Sequence, residues 1–217
     1  MAGKRTYGDP CGIARALDVV GERWALLVVR ELLLGPKRFT DLRAGLPHLG
    51  PDVLSQRLRE LEQAGVLRRD QLPPPAASRI YELTDWGRQL EPVVLGLGRW
   101  GSRAPFPVAH GALGVDALML ALKTLYDPDR ADGLLGSTYE LRLAGQPFEV
   151  RPTGGALEVS RGGATDPVAT IATDPETLQQ ILWHELPLRD AVRAGGLTIA
   201  GDRETAERLL GVFPLPG

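Results

Sequence analysis

In the stretch that ends at Gly65, apolar side chains recur at helical spacing and predict the best-marked helix of the chain. Leu54, Leu58 and Leu61 fall on one face at about 100° per residue, and polar side chains occupy the opposite face. Pro51 suits the first turn of a helix, and Gly65 suits the left-handed residue after its end. The pattern therefore predicts an amphipathic helix with one buried face.

The segments on either side predict a helix-turn-helix followed by a β-hairpin. A short helix comes first, and a nearly wholly apolar helix follows from Trp24 to Leu34. Thr40 can cap a third helix, which a tight turn joins to the helix before Gly65. The extended runs 66–69 and 79–83 predict two strands around a protruding loop, which is the arrangement of a wing.

The polar face of the predicted helix carries side chains that can hydrogen-bond base edges. Ser55, Gln56 and Arg59 would do so if the helix lay in a major groove, whereas an isolated helix of this kind is more often a solvated surface. Arg57 lies beside the apolar stripe, so it either holds a phosphate or forms a structural ion pair. Asp52 either caps the helix or accepts a hydrogen bond from a base donor such as cytosine N4, and the cap is favoured. The residues predicted to bind DNA are Lys37, Arg38, Thr40, Pro51, Ser55, Gln56, Arg57, Arg59, Arg68 and Arg79.

An apolar seam with two tryptophans follows the predicted hairpin. The helix that starts at Thr84 carries it at alternating spacings of four and three residues, up to Trp100. Such a seam favours packing on a partner helix, although it could pack on its own domain. Pro92 is predicted to kink this helix.

Composition and charge describe an ordinary globular chain with two unlike halves. The 217 residues are 43% hydrophobic and 24% charged, enough for two cores. Residues 1–103 hold 16 basic and 12 acidic side chains, whereas residues 104–217 hold 9 and 15, so a polyanion is expected to meet the first half. The absence of a secretion signal and of an apolar run of membrane-spanning length predicts a cytoplasmic protein with no membrane insertion.

Several short motifs occur in one order between residues 11 and 101. They are Cys11-Gly12-Ile13-Ala14, Arg23-Trp24, Leu32-Leu33-Leu34-Gly35-Pro36, Arg38-Phe39-Thr40-Asp41-Leu42, Leu54-Ser55-Gln56-Arg57-Leu58-Arg59-Glu60-Leu61, Gly65, Tyr81-Glu82-Leu83-Thr84 and Gly87. In this order they resemble the HxlR-type winged helix-turn-helix regulators. The resemblance implies homodimers that bind double-stranded operator DNA and dimerise through the first and last helices of the domain. The residues expected at this interface are Ile13, Leu17, Trp86, Leu90, Val93, Leu97 and Trp100.

The chain departs from the family pattern at two positions and shares a cysteine of interest. Gly12 replaces the usual proline, and Asp52 stands where many relatives have a basic residue. Some relatives use the cysteine at the position of Cys11 to sense oxidants or electrophiles, which requires a thiolate and solvent access. A small buried core residue is the alternative, and it is favoured here.

The second half alternates apolar and polar residues in three runs, 139–143, 148–151 and 157–160, which predict an antiparallel meander. A helix from Val115 to Tyr126 precedes it; a further strand, a helix opened by Asp174, and a final helix, strand and helix follow. This order is similar to the sterol carrier protein type 2 fold. The resemblance is carried mainly by residues 191–213 and implies a pocket for a lipid or another apolar ligand. Its expected lining is Leu118, Leu122, Tyr126, Phe148, Leu182 and Trp183, for each of which plain core packing is the favoured alternative.

No motif predicts a catalytic residue, a metal site or a cofactor. Gly96–Gly101 matches the dinucleotide fingerprint literally but follows no predicted strand, and His184-Glu185 lacks the second histidine of a zinc protease motif.

The sequence predicts an α+β protein that is not an enzyme. Its expected parts are a DNA-binding and dimerisation domain at 1–103, a linker at 104–111 and a sterol-carrier-like domain at 112–217. The predicted function is a dimeric transcriptional regulator modulated by an apolar small molecule. The alternative is a lipid-binding or small-molecule-binding protein in which the winged helix serves mainly for dimerisation.

Overall fold

The chain forms two units, residues 1–94 and 95–217. The computed structural model describes residues 6–71, 78–104, 111, 113–184 and 186–215. Most of the predicted linker lies outside these residues, so the domain limits derived from the sequence stay a prediction.

The first unit consists of short helices and a small antiparallel sheet in the strand order β1-β3-β2. Its elements, with the helix that continues into the second unit, are α1 Gly12–Val20, α2 Ala25–Leu32, β1 Lys37–Arg38, α3 Phe39–Gly45, α4 Pro51–Gln63, β2 Leu67–Gln71, β3 Arg79–Leu83, α5 Asp85–Arg88 and α6 Glu91–Gly101. The predicted helix-turn-helix is α3 and α4, and the predicted wing is β2 and β3. The tip of the wing, residues 72–77, lies outside the described residues.

The core of this unit forms where the apolar faces of α2, α3 and α4 meet. Val28, Leu42, Leu54 and Leu58 are fully buried there, so α2 has the central position that its composition predicts. It begins one residue later than predicted, because Trp24 has a left-handed backbone with φ of 78° and cannot belong to the helix.

Both predicted ends of α4 are confirmed, but two predicted caps are wrong. Pro51 is its first residue, and Gly65 has a φ of 77°. The cap residue is Gly50, no side chain makes a cap hydrogen bond, and Asp52 therefore does not cap the helix. Thr40 does not cap α3 either, because α3 starts before it, at Phe39. Instead the Asp41 carboxylate accepts the backbone N–H of the residue before α3 at 3.2 Å.

The predicted last helix of the first unit is broken in two. α5 ends at Arg88, and α6 starts at Glu91 after a turn. Pro92 is the second residue of α6 and lies in its first turn, where proline is tolerated, so the prediction of a kink within one helix is wrong. Thr84 caps α5 by accepting the backbone N–H of Gly87 at 3.1 Å.

The second unit packs helices against a five-stranded sheet in the order β6-β5-β4-β7-β8. Its elements are α7 Val115–Leu125, β4 Tyr139–Leu143, β5 Gln146–Pro152, β6 Leu157–Arg161, β7 Ala169–Thr173, α8 Pro175–Trp183, α9 Leu188–Arg193, β8 Leu197–Gly201 and α10 Arg203–Leu210. The predicted meander is confirmed as β4, β5 and β6. β7 pairs with β4 in parallel, and β8 pairs with β7 in antiparallel orientation. The fold as a whole is α+β.

The start of α8 follows its sequence signature. The Asp174 carboxylate accepts the backbone N–H of Thr177 at 2.9 Å and the hydroxyl of Thr177 at 2.6 Å. These bonds hold the pKa of Asp174 below its usual value, the hydroxyl of Thr177 contributing most.

Replacing Asp174 by alanine is expected to lower the free energy of unfolding by about 1 kcal/mol at pH 7. A carboxylate with a lowered pKa stabilises the fold above its unfolded pKa of about 4, and this contribution disappears as the pH falls. The difference in unfolding free energy between Asp174→Ala and the parent chain should therefore become smaller at low pH. Chemical denaturation at pH 7 and at pH 3 measures it. Asp132→Ala removes an exposed carboxylate away from α8 and is the control. Equal stability of Asp174→Ala and the parent at pH 7 would contradict the cap.

Candidate nucleic-acid interface

The outer face of α4 presents polar side chains to solvent. Leu54, Leu58 and Leu61 are at most 1% exposed and attach the opposite face to the core. Gln56 and Arg59 are exposed, and Ser55 is half-buried at the edge of this face. The helix thus has the two faces that its periodicity predicts, and hydrogen-bonding groups are available on the outer one.

A chain of polar contacts runs from the interior of the unit to this outer face. Arg57 is only 8% exposed, and its Nη1 lies 2.5 Å from one carboxylate oxygen of Glu60 and 3.7 Å from Glu22. The other carboxylate oxygen of Glu60 accepts the side-chain amide of Gln56 at 2.9 Å. The structural alternative therefore holds for Arg57: it is an internal ion-pair partner, and burial keeps it from a phosphate. Sequence reasoning missed Glu60, although its spacing of four residues from Gln56 was a usable signal.

Lys37, another predicted phosphate ligand, also faces inward. Its Nζ lies 2.6 Å from a carboxylate oxygen of Glu31, which is 2% exposed, and Arg30 binds the other oxygen at 2.8 Å. If the Lys37 side chain turned away to bind a phosphate, part of the buried negative charge of Glu31 would be left uncompensated. The prediction for Lys37 does not fit this geometry, whereas Arg38, Thr40 and Pro51 are exposed as a DNA contact requires.

The hairpin of β2 and β3 carries exposed arginines next to α4. Arg68 pairs with Glu82 at 2.7 Å and remains 61% exposed. The hydrogen bond and the charge of Glu82 raise the pKa of Arg68. Arg69 pairs with Glu62 of α4 at 3.1 Å and lies over the ring of Tyr81. Arg79 is exposed on β3, so the wing offers positive charge beside the helix.

The predicted dimer seam is exposed. Trp86 is 52% exposed on α5, and Trp100 is 76% exposed on α6, where it shares one face with Val93 and Leu97. Ile13 and Leu17 of α1 are exposed, and Leu90 is half-buried. A groove between α1 and α5 is lined by Ala16, Val19, Val20, Val66, Trp86, Gln89 and Leu90. Exposed large apolar side chains on helices, such as these on α1, α5 and α6, are typical of a protein–protein contact.

Cys11 is exposed and occupies the position before the first residue of α1. The favoured interpretation of it as a small buried core residue is therefore wrong. The alternative, a thiol that senses oxidants or electrophiles, stays a prediction.

The predicted pocket residues belong to the interior of the second unit. Leu118, Leu122, Tyr126 and Phe148 are buried, and the hydroxyl of Tyr126 donates to the backbone carbonyl of Thr153 at 2.6 Å. Burial raises the pKa of this hydroxyl. Leu182 and Trp183 are half-buried on α8, and the indole N–H of Trp183 donates to the carbonyl of Phe213 at 3.2 Å. These positions are those expected both of a packed core and of a pocket between sheet and helices.

The described part of the chain contains no group of three or more histidine, cysteine, aspartate or glutamate side chains that could hold a metal ion. Among the same residues, no helix has both the length and the apolar character that a bilayer crossing requires.

Comparison with known proteins matches each half of the chain to a family. Residues 19–106 match the HxlR-like helix-turn-helix family, and residues 117–214 match the SCP-2 sterol transfer family. The uncharacterized HTH-type transcriptional regulator YvaP of Bacillus subtilis (strain 168) is 41% identical over 88 residues, which are 41% of this chain and 82% of that protein. The HTH-type transcriptional regulator YodB of the same organism is 34% identical over 88 residues, 41% of this chain and 79% of that protein.

Among solved structures, the redox regulator HypR in its oxidized form shares 34% sequence identity at a TM-score of 0.41, over 45% of this chain and 100% of that chain. Together, α3, α4 and the wing define a winged helix-turn-helix protein, here joined to a sterol-carrier-like domain. The chain belongs to the HxlR-like helix-turn-helix family, and its homologues are transcriptional regulators.

Proposed function

We propose that this protein is a homodimeric transcriptional regulator that places α4 in the major groove of operator DNA. The observation that carries the proposal is the outer face of α4, on which Gln56 and Arg59 are exposed while the opposite face is anchored in the core. A helix of about 10–12 Å diameter enters a major groove, and the arginine and glutamine side chains pair with guanine and adenine edges.

The proposed DNA contacts are of two kinds, contacts to the bases and contacts to the phosphate backbone. Ser55, Gln56 and Arg59 would read bases from α4. Arg38, Arg68 and Arg79 are exposed and would bind phosphates on either side of α4. Thr40 and Pro51, in the first turns of α3 and α4, would add to these contacts. The surplus of basic residues in the first half of the chain supports this placement. Such a protein would act in the cytoplasm, a location that its transcriptional-regulator homologues support.

The exposed seam supports a dimer. Val93, Leu97 and Trp100 share one face of α6, and a second copy of the same face would remove these side chains from water. Two-fold symmetry of the dimer would require a two-fold operator with half-sites about one helical turn apart.

The sterol-carrier-like domain would bind an apolar small molecule that alters DNA binding. The match to the SCP-2 sterol transfer family supports such a ligand, and Leu118, Leu122, Tyr126 and Phe148, together with Leu182 and Trp183, would contact it. The same match favours a second candidate function: a lipid-binding protein whose winged helix serves mainly for dimerisation. We propose no catalytic role.

Selection of bound sequences from random DNA, repeated with a cell lipid extract present, tests these functions together. A two-fold motif whose enrichment changes with the extract is expected. A motif that the extract leaves unchanged would support DNA binding and count against the ligand. If no DNA motif is enriched and lipid copurifies with the protein, the second function is favoured.

Replacing Arg59 by alanine is expected to weaken operator binding by about 1–3 kcal/mol, which is roughly 5- to 150-fold, and to make its salt dependence less steep. Arg59 is exposed, so the loss would come from the DNA contact and leave the fold intact. Titration of the selected operator at several salt concentrations measures both quantities. Arg189→Ala removes an arginine that is 79% exposed on α9 and serves as the control. Unchanged affinity and salt slope in Arg59→Ala would overturn the assignment of α4.

A further inference from the structure

Asp52 is an exposed carboxylate in the first turn of α4 that does not cap the helix. It is exposed and makes no cap hydrogen bond, because Gly50 is the cap residue and Pro51 begins the helix. Among the residues that the structure describes, no ion pair or hydrogen bond to its side chain is found. Its negative charge suits the positive end of the helix dipole, but any acidic residue of the first turn would supply that.

The side chain lies on the same line of the helix as the proposed base-reading residues. Spacings of four and three residues connect Asp52 to Gln56 and Gln56 to Arg59, so all three share one face at about 100° per residue. Leu54 and Leu58 point to the opposite side and are fully buried. If α4 enters a groove with Gln56 and Arg59 facing the bases, Asp52 faces them as well, one turn nearer the start of the helix.

A carboxylate at this position repels every phosphate and every base acceptor near it. The energetic cost is offset only where a base offers a hydrogen-bond donor, and the major groove has two: the N4 amino group of cytosine and the N6 amino group of adenine. Adenine N6 lies between two acceptors, its own N7 and the O4 of the paired thymine. Cytosine N4 has one acceptor beside it, the O6 of guanine, and a C–H on its other side. Cytosine is therefore the base that a carboxylate tolerates best.

We propose that Asp52 is a specificity-determining residue that accepts a hydrogen bond from the N4 amino group of a cytosine in each operator half-site. This inference rests on the proposed function, because it requires α4 to lie in a major groove. The consequence is that Asp52 increases sequence specificity without increasing affinity for the operator. It weakens binding to sequences that lack the cytosine, because its repulsion of phosphates and base acceptors counteracts the sequence-independent attraction from the wing arginines.

The test is selection from random DNA with the full chain and two variants. The parent chain should enrich cytosine at one position of each half-site. Asp52→Ala should lose that preference and bind random DNA more tightly. Asp52→Asn should move the preference toward adenine, because an amide pairs with both N6 and N7 of adenine. The ratio of affinities for the cytosine and adenine operators should change by about tenfold or more between the parent and Asp52→Asn.

Asp129→Asn is the matched control, since it removes the same charge from an exposed residue outside the first unit. It should retain the cytosine preference. Thermal unfolding of each variant checks that the fold is preserved. A parental motif that both Asp52 variants reproduce would overturn this inference and leave the proposed function standing. Absence of any motif with the parent chain would overturn both.

Discussion

Replacing both Val93 and Leu97 by aspartate is expected to convert the dimer into a monomer at micromolar concentration. The two side chains are 49% and 47% exposed and lie one turn apart on α6, so each would carry a charge into the middle of the proposed contact. Two unpaired charges buried in an apolar contact cost at least about 4 kcal/mol, which raises the dissociation constant of the dimer about 1000-fold or more.

Sedimentation velocity of the parent and the double variant measures this effect. Because two half-sites are then no longer bound together, operator affinity should fall in parallel. Leu135→Asp combined with Val168→Asp is the matched control: these residues are 51% and 38% exposed and lie outside the seam, so that variant should remain dimeric. A Val93→Asp/Leu97→Asp protein that sediments as a dimer would place the contact elsewhere.

Replacing Gly87 by alanine is expected to lower the free energy of unfolding of the first unit by about 3 kcal/mol. A Cβ atom at Gly87 would lie 2.0 Å from the backbone carbonyl oxygen of Val66, which is far inside contact distance. The Thr84 N–H donates to that same oxygen at 3.0 Å, and the Thr84 hydroxyl donates to the carbonyl of Gly65 at 2.7 Å. α5 must therefore move away from the end of α4, and these bonds must lengthen or break.

Chemical denaturation of the full chain measures this loss. Gly12→Ala is the control, because a Cβ there meets no atom within 4 Å and Gly12 is helical. It should leave stability within about 1 kcal/mol of the parent. If Gly87→Ala were as stable as Gly12→Ala, the segment around Gly87 would be able to accommodate the Cβ atom without loss of stability, and this prediction would be wrong. Since the affected bonds join the start of α5 to the turn between α4 and the wing, weaker operator binding by Gly87→Ala is expected to accompany the loss of stability.

Features that depend on neighbours in the chain were predictable from the sequence. The two ends of α4 follow from Pro51 and Gly65, because each residue type matches a backbone conformation that its position requires. The start of α8 follows from Asp174 in the same way. The strands β4, β5 and β6 follow from alternation of apolar and polar residues, since a strand with one buried face has a period of two.

Features that depend on a contact between distant segments required the tertiary structure. Periodicity shows that Arg57 lies beside the apolar stripe of α4, but its burial and its approach to Glu22 depend on how α4 packs on the turn before α2. Lys37 looked like its exposed neighbour Arg38 until the fold placed it beside the buried Glu31. The exposure of Cys11 was likewise undecidable, because a small side chain suits a core and a surface equally.

The helix α4 shows most clearly the difference between features that depend on neighbours in the chain and features that depend on tertiary contacts. The spacing of residues along the chain is enough to put Gln56 and Arg59 on one polar face and Leu54, Leu58 and Leu61 on one apolar face, because helix geometry is local. The tertiary structure was needed to show that Arg57 is buried and that it approaches Glu22 at 3.7 Å. The contacts of Glu60 with Arg57 and Gln56, in contrast, join residues three and four positions apart on the same helix. The burial of Arg57 and its approach to Glu22 depend on which segments the packing brings together, and a pattern along one helix carries no record of that.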